Sequence, residues 1–218
     1  MARRQNPNKL RHLLIGDDNI AAFRDKYRIP CDVYFRVPTL QEEADYTLPN
    51  EIPIPIGAII EGGLRFPLPR LFRQVLHHYN VHPNDLAMNS YRILFGIIAL
   101  NEKHNLHLGL EDIEYYYMFV PGRNLNNHYF TAPTLKKLIC HLPDTNKQFK
   151  QEFVYIFGNW EFGDDEHIFG VPRTLAHPSK YRQPLLVRLC MILHLMTEPI
   201  LLQEKKINRW WRGVRQFI

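Results

Sequence analysis

The chain of 218 residues has few cysteines and no long apolar run. Its three cysteines, Cys31, Cys140 and Cys190, are far apart and form no Cys-x-x-Cys pair. This scarcity argues against a disulfide framework or a zinc ribbon and favours a reducing compartment. The longest apolar run, residues 93–100, is much shorter than the roughly 18 residues that a membrane span needs. We therefore expect a soluble protein of the nucleus or cytoplasm that is not secreted.

The sequence also lacks the common motifs of catalysis and cofactor binding. There is no Gly-x-Ser-x-Gly, no Gly-x-x-x-x-Gly-Lys-Ser/Thr, no Gly-x-Gly-x-x-Gly and no His-Glu-x-x-His. Residues 164–167 offer four adjacent side chains that could bind metal, but neighbours on the chain splay apart, so a solvated turn is the simpler interpretation. We predict no catalytic residue, metal, cofactor or small-molecule substrate.

Positive charge is concentrated at the two ends of the chain. Lys and Arg number 27 against 22 Asp and Glu, a net charge of +5. Residues 1–28 hold seven basic and three acidic side chains, and the last fourteen residues hold five basic ones and no acid. This asymmetry indicates a polyanionic partner, with solvated termini as the alternative. The candidate nucleic-acid contacts at the C-terminal end are Lys205, Lys206, Arg209, Arg212 and Arg215.

The apolar pattern predicts an α+β fold that is mainly α, with a helical core and a small antiparallel sheet. A helix near residues 70–79 has an apolar stripe, and its opposite face carries Arg70 and Arg73, two further candidate contacts with nucleic acid. Residues 91–103 are apolar nearly all round, which predicts a buried central helix. Glu111 and Asp112 favour the start of another helix, over residues 111–119.

Short strands are predicted at residues 32–37, 127–131, 135–141 and 152–157, and the run at 135–141 also fits a helix. The Ile-Pro repeat at residues 52–56 is predicted to be extended and laid over the core. We divide the chain into a polar basic lead-in (1–30), a helical domain with a small sheet (31–162), and a loop with C-terminal amphipathic helices (163–218). In that last part Trp210 and Trp211 lie beside arginines, and would pack on the core or contact nucleic acid, a membrane surface or a partner.

Three motifs in an ordered set resemble a known family. They are Glu-Gly-Gly-Leu-Arg-Phe-Pro-Leu-Pro at 61–69, Phe-Arg-Gln-Val-Leu at 72–76 and Val-His-Pro-Asn-Asp-Leu-Ala-Met-Asn-Ser-Tyr-Arg at 81–92. They resemble the core signature of a plant domain labelled putative gypsy-type transposon, or transposase-like, and related matches span residues 24–162. Tyr91 and Phe149 stand where the family has tryptophan, so an aromatic is kept at both positions.

The resemblance implies a protein of a plant retrotransposon or other transposable element, gag-like or structural and not an enzyme. Such a protein would self-associate or bind nucleic acid. An inactive remnant, or a transposase or nuclease of the element, are the alternatives. The signature residues themselves favour structural roles in turns, helix entry and capping of the central helix, although a ligand groove around Arg65 is another interpretation. They are Gly63, Leu64, Arg65, Phe66, Pro67 and Asn89.

Overall fold

The structure is a computed structural model that describes residues 10–39, 42, 44, 48, 50–122, 127–132, 137–144, 148–164 and 167–173. Within these residues there are five α-helices: α1 (Asp17–Tyr27), α2 (Ile56–Ile60), α3 (Arg70–Tyr79), α4 (Met88–His104) and α5 (Leu110–Tyr116). There are five strands: β1 (Val33–Arg36), β2 (Ile52–Pro55), β3 (Met118–Pro121), β4 (His128–Thr131) and β5 (Phe153–Gly158). Short 3₁₀ turns lie at Arg11–Leu14, Pro83–Asp85 and Phe149–Gln151.

The strands form two antiparallel sheets. Sheet A has three strands in the order β1-β5-β2, so the last strand of the described chain lies between the first two. Its register pairs Tyr34 with Phe157 and Pro53 with Tyr155. Pro53 and Pro55 have no N–H to donate, which suits the edge position of β2. Sheet B is the pair β3-β4.

The core is built around α4, whose residues 90–98 are all buried, as the sequence predicts. Phe72 of α3 stacks on Tyr91 with ring centroids 5.8 Å apart and contacts Phe95 at 5.0 Å. The same core includes Tyr27 of α1 and Val171 near the end of the described chain. The predicted C-terminal helices lie outside the described residues.

The predicted fold class, mainly α with one small sheet, is wrong. Helices account for 41% and strands for 16% of the described residues, and the strands form two sheets. One reason is local: α5 ends at Tyr116, because Tyr117 is already extended (φ −134°, ψ 141°) and leads into β3. The predicted helix over 111–119 therefore includes three residues that belong to an extended segment. The other reason is distant pairing, since β1 and β2 form a sheet only through β5.

Candidate functional site

The motif at residues 61–69 forms a tight turn after α2. Gly62 lies so close to α2 that a Cβ there would be 2.6 Å from the carbonyl oxygen of Ala58. Gly63 has a φ of +84°, a conformation that favours glycine. Leu64 and Phe66 are buried, and Pro67 is exposed. The glycines therefore let the chain reverse while the two apolar side chains enter the core.

Arg65 binds its own chain. Its Nη1 donates to the carbonyl oxygens of Ile59 (3.1 Å) and Leu64 (2.7 Å). Its guanidinium lies 5.7 Å from the centre of the Tyr27 ring, and burial lowers the pKa of Arg65. These contacts fit a residue that fixes the turn after α2 to α1, and they use part of the donor set that an anionic ligand would need.

Arg92 joins the first turn of α4 to two other segments. It donates to the side chain of Glu61 (3.0 Å), to the Oδ1 of Asn89 (2.9 Å) and to the carbonyl oxygen of Pro143 (3.2 Å). The predicted cap of the central helix by Asn89 is wrong, because α4 begins at Met88 after Ala87 and has no side-chain cap. Asn89 instead lies one residue inside the helix and accepts the hydrogen bond from Arg92.

A buried polar cluster lies beside the motif at residues 81–92. It consists of His82, Asn84, Asp85, His128 and Lys150, and the first four are at most 8% exposed. The backbone N–H of Asn84 donates to the Nδ1 of His82 (3.0 Å), which holds the Pro83–Asp85 turn. The backbone carbonyl of His128 accepts from the N–H of Ala87 (2.7 Å) and fixes sheet B to the start of α4.

The pKa values of His82 and Lys150 in this cluster are shifted far from their ordinary values. Burial, with the positive charges of Arg173 and Lys150, lowers the pKa of His82 to about 3. Burial lowers the pKa of Lys150 to about 8, and the nearby charge of Asp85 opposes that change. His82 is therefore neutral at pH 7 and its Nδ1 is already a hydrogen-bond acceptor, so the geometry favours a capping role over acid–base chemistry.

The two predicted nucleic-acid contacts on α3 differ in their exposure to solvent. Arg70 is exposed, whereas Arg73 is 0% exposed, so its assignment to a solvent-facing basic surface is wrong. The Nε of Arg73 donates to the carbonyl oxygen of Leu68 (3.1 Å) and its Nη1 to that of Ile168 (2.8 Å). The remaining candidates, Lys205, Lys206, Arg209, Arg212 and Arg215, lie outside the described residues.

The face of α3 that carries Arg73 is occupied by the chain itself. We call residues 160–164 and 167–171 the covering segment. The backbone N–H of Leu68 donates to the carbonyl oxygen of Trp160 (3.0 Å), and the carbonyl of Gly170 lies 3.1 Å from the Nδ1 of His77. The guanidinium of Arg70 lies 5.9 Å from the ring of Phe169. The basic face of α3 is therefore largely an internal interface.

The acidic run at residues 164–167 is only partly described. Asp164 and His167 are exposed, and Asp165 and Glu166 lie outside the described residues. The described residues contain no group of three or more His, Cys, Asp or Glu side chains that could hold a metal ion. They also contain no helix that is long and apolar enough to cross a membrane.

Sheet A has an aromatic outer face that the sequence analysis missed. Val154 and Ile156 of β5 belong to the core, while the alternate residues Phe153, Tyr155 and Phe157 do not. Tyr34 of β1 stacks on Phe157, with ring centroids 5.3 Å apart and planes at 23°, and remains 48% exposed. The signal was present in the strict alternation of aromatic and aliphatic residues along β5, which indicates two different apolar environments.

Part of this outer face is covered. The guanidinium of Arg36 lies 4.1 Å from the centre of the Tyr155 ring and is held there by Glu51 (2.6 Å) and Glu42 (2.8 Å). Tyr155 is consequently 0% exposed although it is on the side of the sheet that faces away from the core. The open part of the face is thus the end that carries Tyr34 and Phe157.

The comparisons with known proteins relate part of the chain to one described family. No curated protein and no solved structure matches the chain. A family model does match, and its span begins in β2, includes α2 to α5 and ends in β3. The three signature motifs all lie inside it, whereas the wider resemblance over residues 24–162 and the plant origin stay predictions. Over residues 54–119 the chain is therefore similar to the family described as "putative gypsy type transposon".

Proposed function

We propose that this is a non-enzymatic protein derived from a plant gypsy-type retrotransposon, in which a folded acidic body carries basic ends that bind nucleic acid. The observation that carries the proposal is that four arginines of the body bind oxygens of their own chain. Arg36, Arg65, Arg73 and Arg92 all hold carbonyl or carboxylate oxygens of their own chain. Side chains used in this way stabilise a scaffold and are poor candidates for a reaction centre.

The charge balance supports a binding role for the ends. The described residues carry 13 Lys and Arg against 16 Asp and Glu, whereas the two ends outside them, residues 1–9 and 174–218, hold 11 against two. Lysine and arginine outside an acidic body are suited to neutralising phosphates. We therefore assign the nucleic-acid contact to Lys205, Lys206, Arg209, Arg212 and Arg215, with the basic lead-in as a second contact.

The test compares a tail variant with a body variant. The tail variant replaces the five C-terminal basic residues by Gln, and the body variant carries Lys103→Gln and Lys137→Gln at two exposed positions of the body. Binding of the full-length proteins to duplex DNA, single-stranded DNA and RNA is measured by anisotropy over a range of salt. For each tail charge that contacts a phosphate, the slope of log affinity against log salt should fall by about 0.9 on duplex DNA.

Two results would contradict this proposal. One is a wild-type protein whose binding is absent or insensitive to salt. The other is an equal loss per charge in the tail and body variants, which would indicate nonspecific attraction.

The non-enzymatic part has its own test. We expect no cleavage of plasmid DNA with Mg²⁺ or Mn²⁺. Metal-dependent nicking that is lost in a D164N/D165N/E166Q variant would instead favour the nuclease alternative, which needs carboxylates around metal ions.

A further inference from the structure

The open end of the aromatic face of sheet A has the composition of a nucleobase site. The ring of Tyr34 rests against Phe157 and over Gly158, since a Cβ at Gly158 would lie 2.8 Å from the Cδ2 of Tyr34. The residue is nevertheless 48% exposed, so part of the Tyr34 side chain remains accessible to a ligand. The ring belongs to a three-stranded sheet in fixed register, so it is held in place before any ligand binds.

The rim of this face carries a cation. The guanidinium of Arg24 lies 6.0 Å from the centre of the Tyr34 ring. It donates to the backbone carbonyls of Pro30 (2.6 Å) and Val33, so these hydrogen bonds fix its position without cancelling its charge. An aromatic ring next to a fixed cation is the combination that proteins use for single strands, with the ring stacking on a base and the cation near a phosphate.

The rim also carries groups that can recognise a base edge. Asn159 and Asp32 lie next to each other at the end of the sheet, where the Nδ2 of Asn159 donates to the Oδ2 of Asp32 (2.9 Å). Both residues are exposed, so the amide oxygen and the carboxylate can still accept from an N–H group on the edge of a base. A paired duplex does not present its base faces for stacking, whereas a single strand does.

We propose that the outer face of sheet A at Tyr34 and Phe157 binds unpaired bases of single-stranded RNA or DNA by stacking. This inference rests on the proposed function, because it names the class of nucleic acid and adds a second contact surface to the basic ends. The ends supply affinity for the phosphates of any strand. The sheet supplies the preference for single strands.

The experiment uses full-length Tyr34→Leu and Tyr34→Phe variants. Leucine keeps an apolar side chain over Gly158 but removes the ring, and phenylalanine keeps the ring. The matched controls are Tyr115→Leu and Tyr129→Leu, because these tyrosines are 44% and 40% exposed elsewhere on the surface. Affinity for an oligouridine strand, an oligothymidine strand and a DNA duplex is measured by anisotropy, and circular dichroism checks that each variant is folded.

We expect Tyr34→Leu to weaken single-strand binding at least about fivefold, with duplex binding unchanged. Tyr34→Phe and the two controls should stay within about twofold of the wild type. The salt slope of Tyr34→Leu should match the wild type, because stacking releases no counterions.

The outcomes separate the two proposals. If the tail variant loses binding and Tyr34→Leu does not, the stacking site is wrong and the proposed function stands. The site is also wrong if Tyr34→Leu and Tyr129→Leu weaken binding equally, or if single strand and duplex are affected alike. A wild-type protein that binds neither polymer overturns both. A Tyr34-dependent change in molecular mass by light scattering, with base binding unaffected, would assign this face to a second copy of the chain.

Discussion

At the scale of single residues, several polar side chains of the signature motifs form hydrogen bonds inside the protein. His82 accepts a backbone hydrogen bond, Arg73 donates to two backbone carbonyls and Arg92 bridges three segments. Each of these side chains satisfies backbone groups that would otherwise be buried without a partner. Substitution at such positions should therefore alter stability before it alters any interaction with a partner.

His82 should make folding stability depend on pH. Its pKa is lowered from 6.5 in the unfolded chain to about 3 in the folded protein, so the folded state resists protonation of His82. The contribution of His82 to the free energy of unfolding is therefore complete above pH 6.5 and is lost as the pH falls toward 3. The loss at pH 5 should be about 2 kcal/mol. His82→Asn keeps an acceptor for the N–H of Asn84 and removes the titration, so urea unfolding should show a flatter pH profile.

The control for this prediction is His107→Asn, at an exposed histidine. That variant should retain the wild-type dependence of unfolding free energy on pH. A His82→Asn protein with an unchanged slope between pH 5 and pH 7 would show that other groups cause the dependence.

Gly62 should be intolerant of any side chain. A Cβ at this position would meet the carbonyl oxygen of Ala58 at 2.6 Å and the Cβ of Tyr91 at 2.9 Å, and the former is backbone that cannot rotate away. Gly62→Ala should lower the unfolding free energy by about 1–3 kcal/mol. Gly109→Ala, where nothing lies within 4 Å, should change it by less than about 0.5 kcal/mol. Equal melting temperatures for the two variants would contradict this prediction.

At the scale of elements, the covering segment packs on the face of α3 that carries Arg73. Its carbonyl groups accept from Arg73 and lie against His77, and Val171 fills part of the core. The backbone N–H of Val171 donates to Glu161, so the segment is also closed on itself. The folded unit therefore extends well beyond the matched residues 54–119.

Removing the Arg73 guanidinium should release this segment. Arg73→Met leaves the carbonyl oxygens of Leu68 and Ile168 without their charged donor and should cost about 2–4 kcal/mol. Hydrogen exchange should rise first at residues 167–171. Arg70→Met, at an exposed position of the same helix, should cost less than about 0.5 kcal/mol. Uniform loss of protection over the whole chain would contradict this local mechanism.

The sequence predicted most local elements, because their signals are local. The strand predicted at residues 135–141 is wrong, since the described residues 137–141 belong to no strand or helix. The bounds of α3 and the burial of α4 follow from helical periodicity, and β1, β4 and β5 follow from short runs of aromatic and β-branched residues. Arg73 was misplaced because periodicity locates a residue on a helix but does not reveal that a second segment covers its polar side. No local pattern shows that a segment about 90 residues further along the chain does so.

The candidate sites were harder to predict for the same reason. The buried polar cluster combines His82 with Lys150 and His128, three residues from separate parts of the chain. The open aromatic face combines Tyr34 with Phe157 across a strand pair. Single-sequence patterns contain no information on such pairings, whereas the individual strands were detectable.

At the scale of the whole molecule, charge is divided between body and ends. The excess of acid in the described residues and the excess of base in residues 1–9 and 174–218 should attract one copy to another at low salt. We therefore propose, in addition, that the chain self-associates through its ends, and this charge complementarity supports the proposal.

Light scattering tests the proposed self-association. The wild-type mass should increase at low ionic strength and return to that of the monomer when salt screens the charges. The tail variant should stay monomeric under both conditions, and the body variant should behave as the wild type. A wild-type monomer at high concentration and low salt would contradict the proposal.

The central position of β5 in sheet A has a consequence for biosynthesis. Residues 33–36 and 52–55 leave the ribosome about 100 residues before the strand that pairs with both of them. At 5–20 residues per second, the nascent chain would hold these two segments without their hydrogen-bonding partner for roughly 5–20 s. During that interval they depend on chaperones or on transient contacts. A variant without residues 153–158 would leave both segments permanently without that partner.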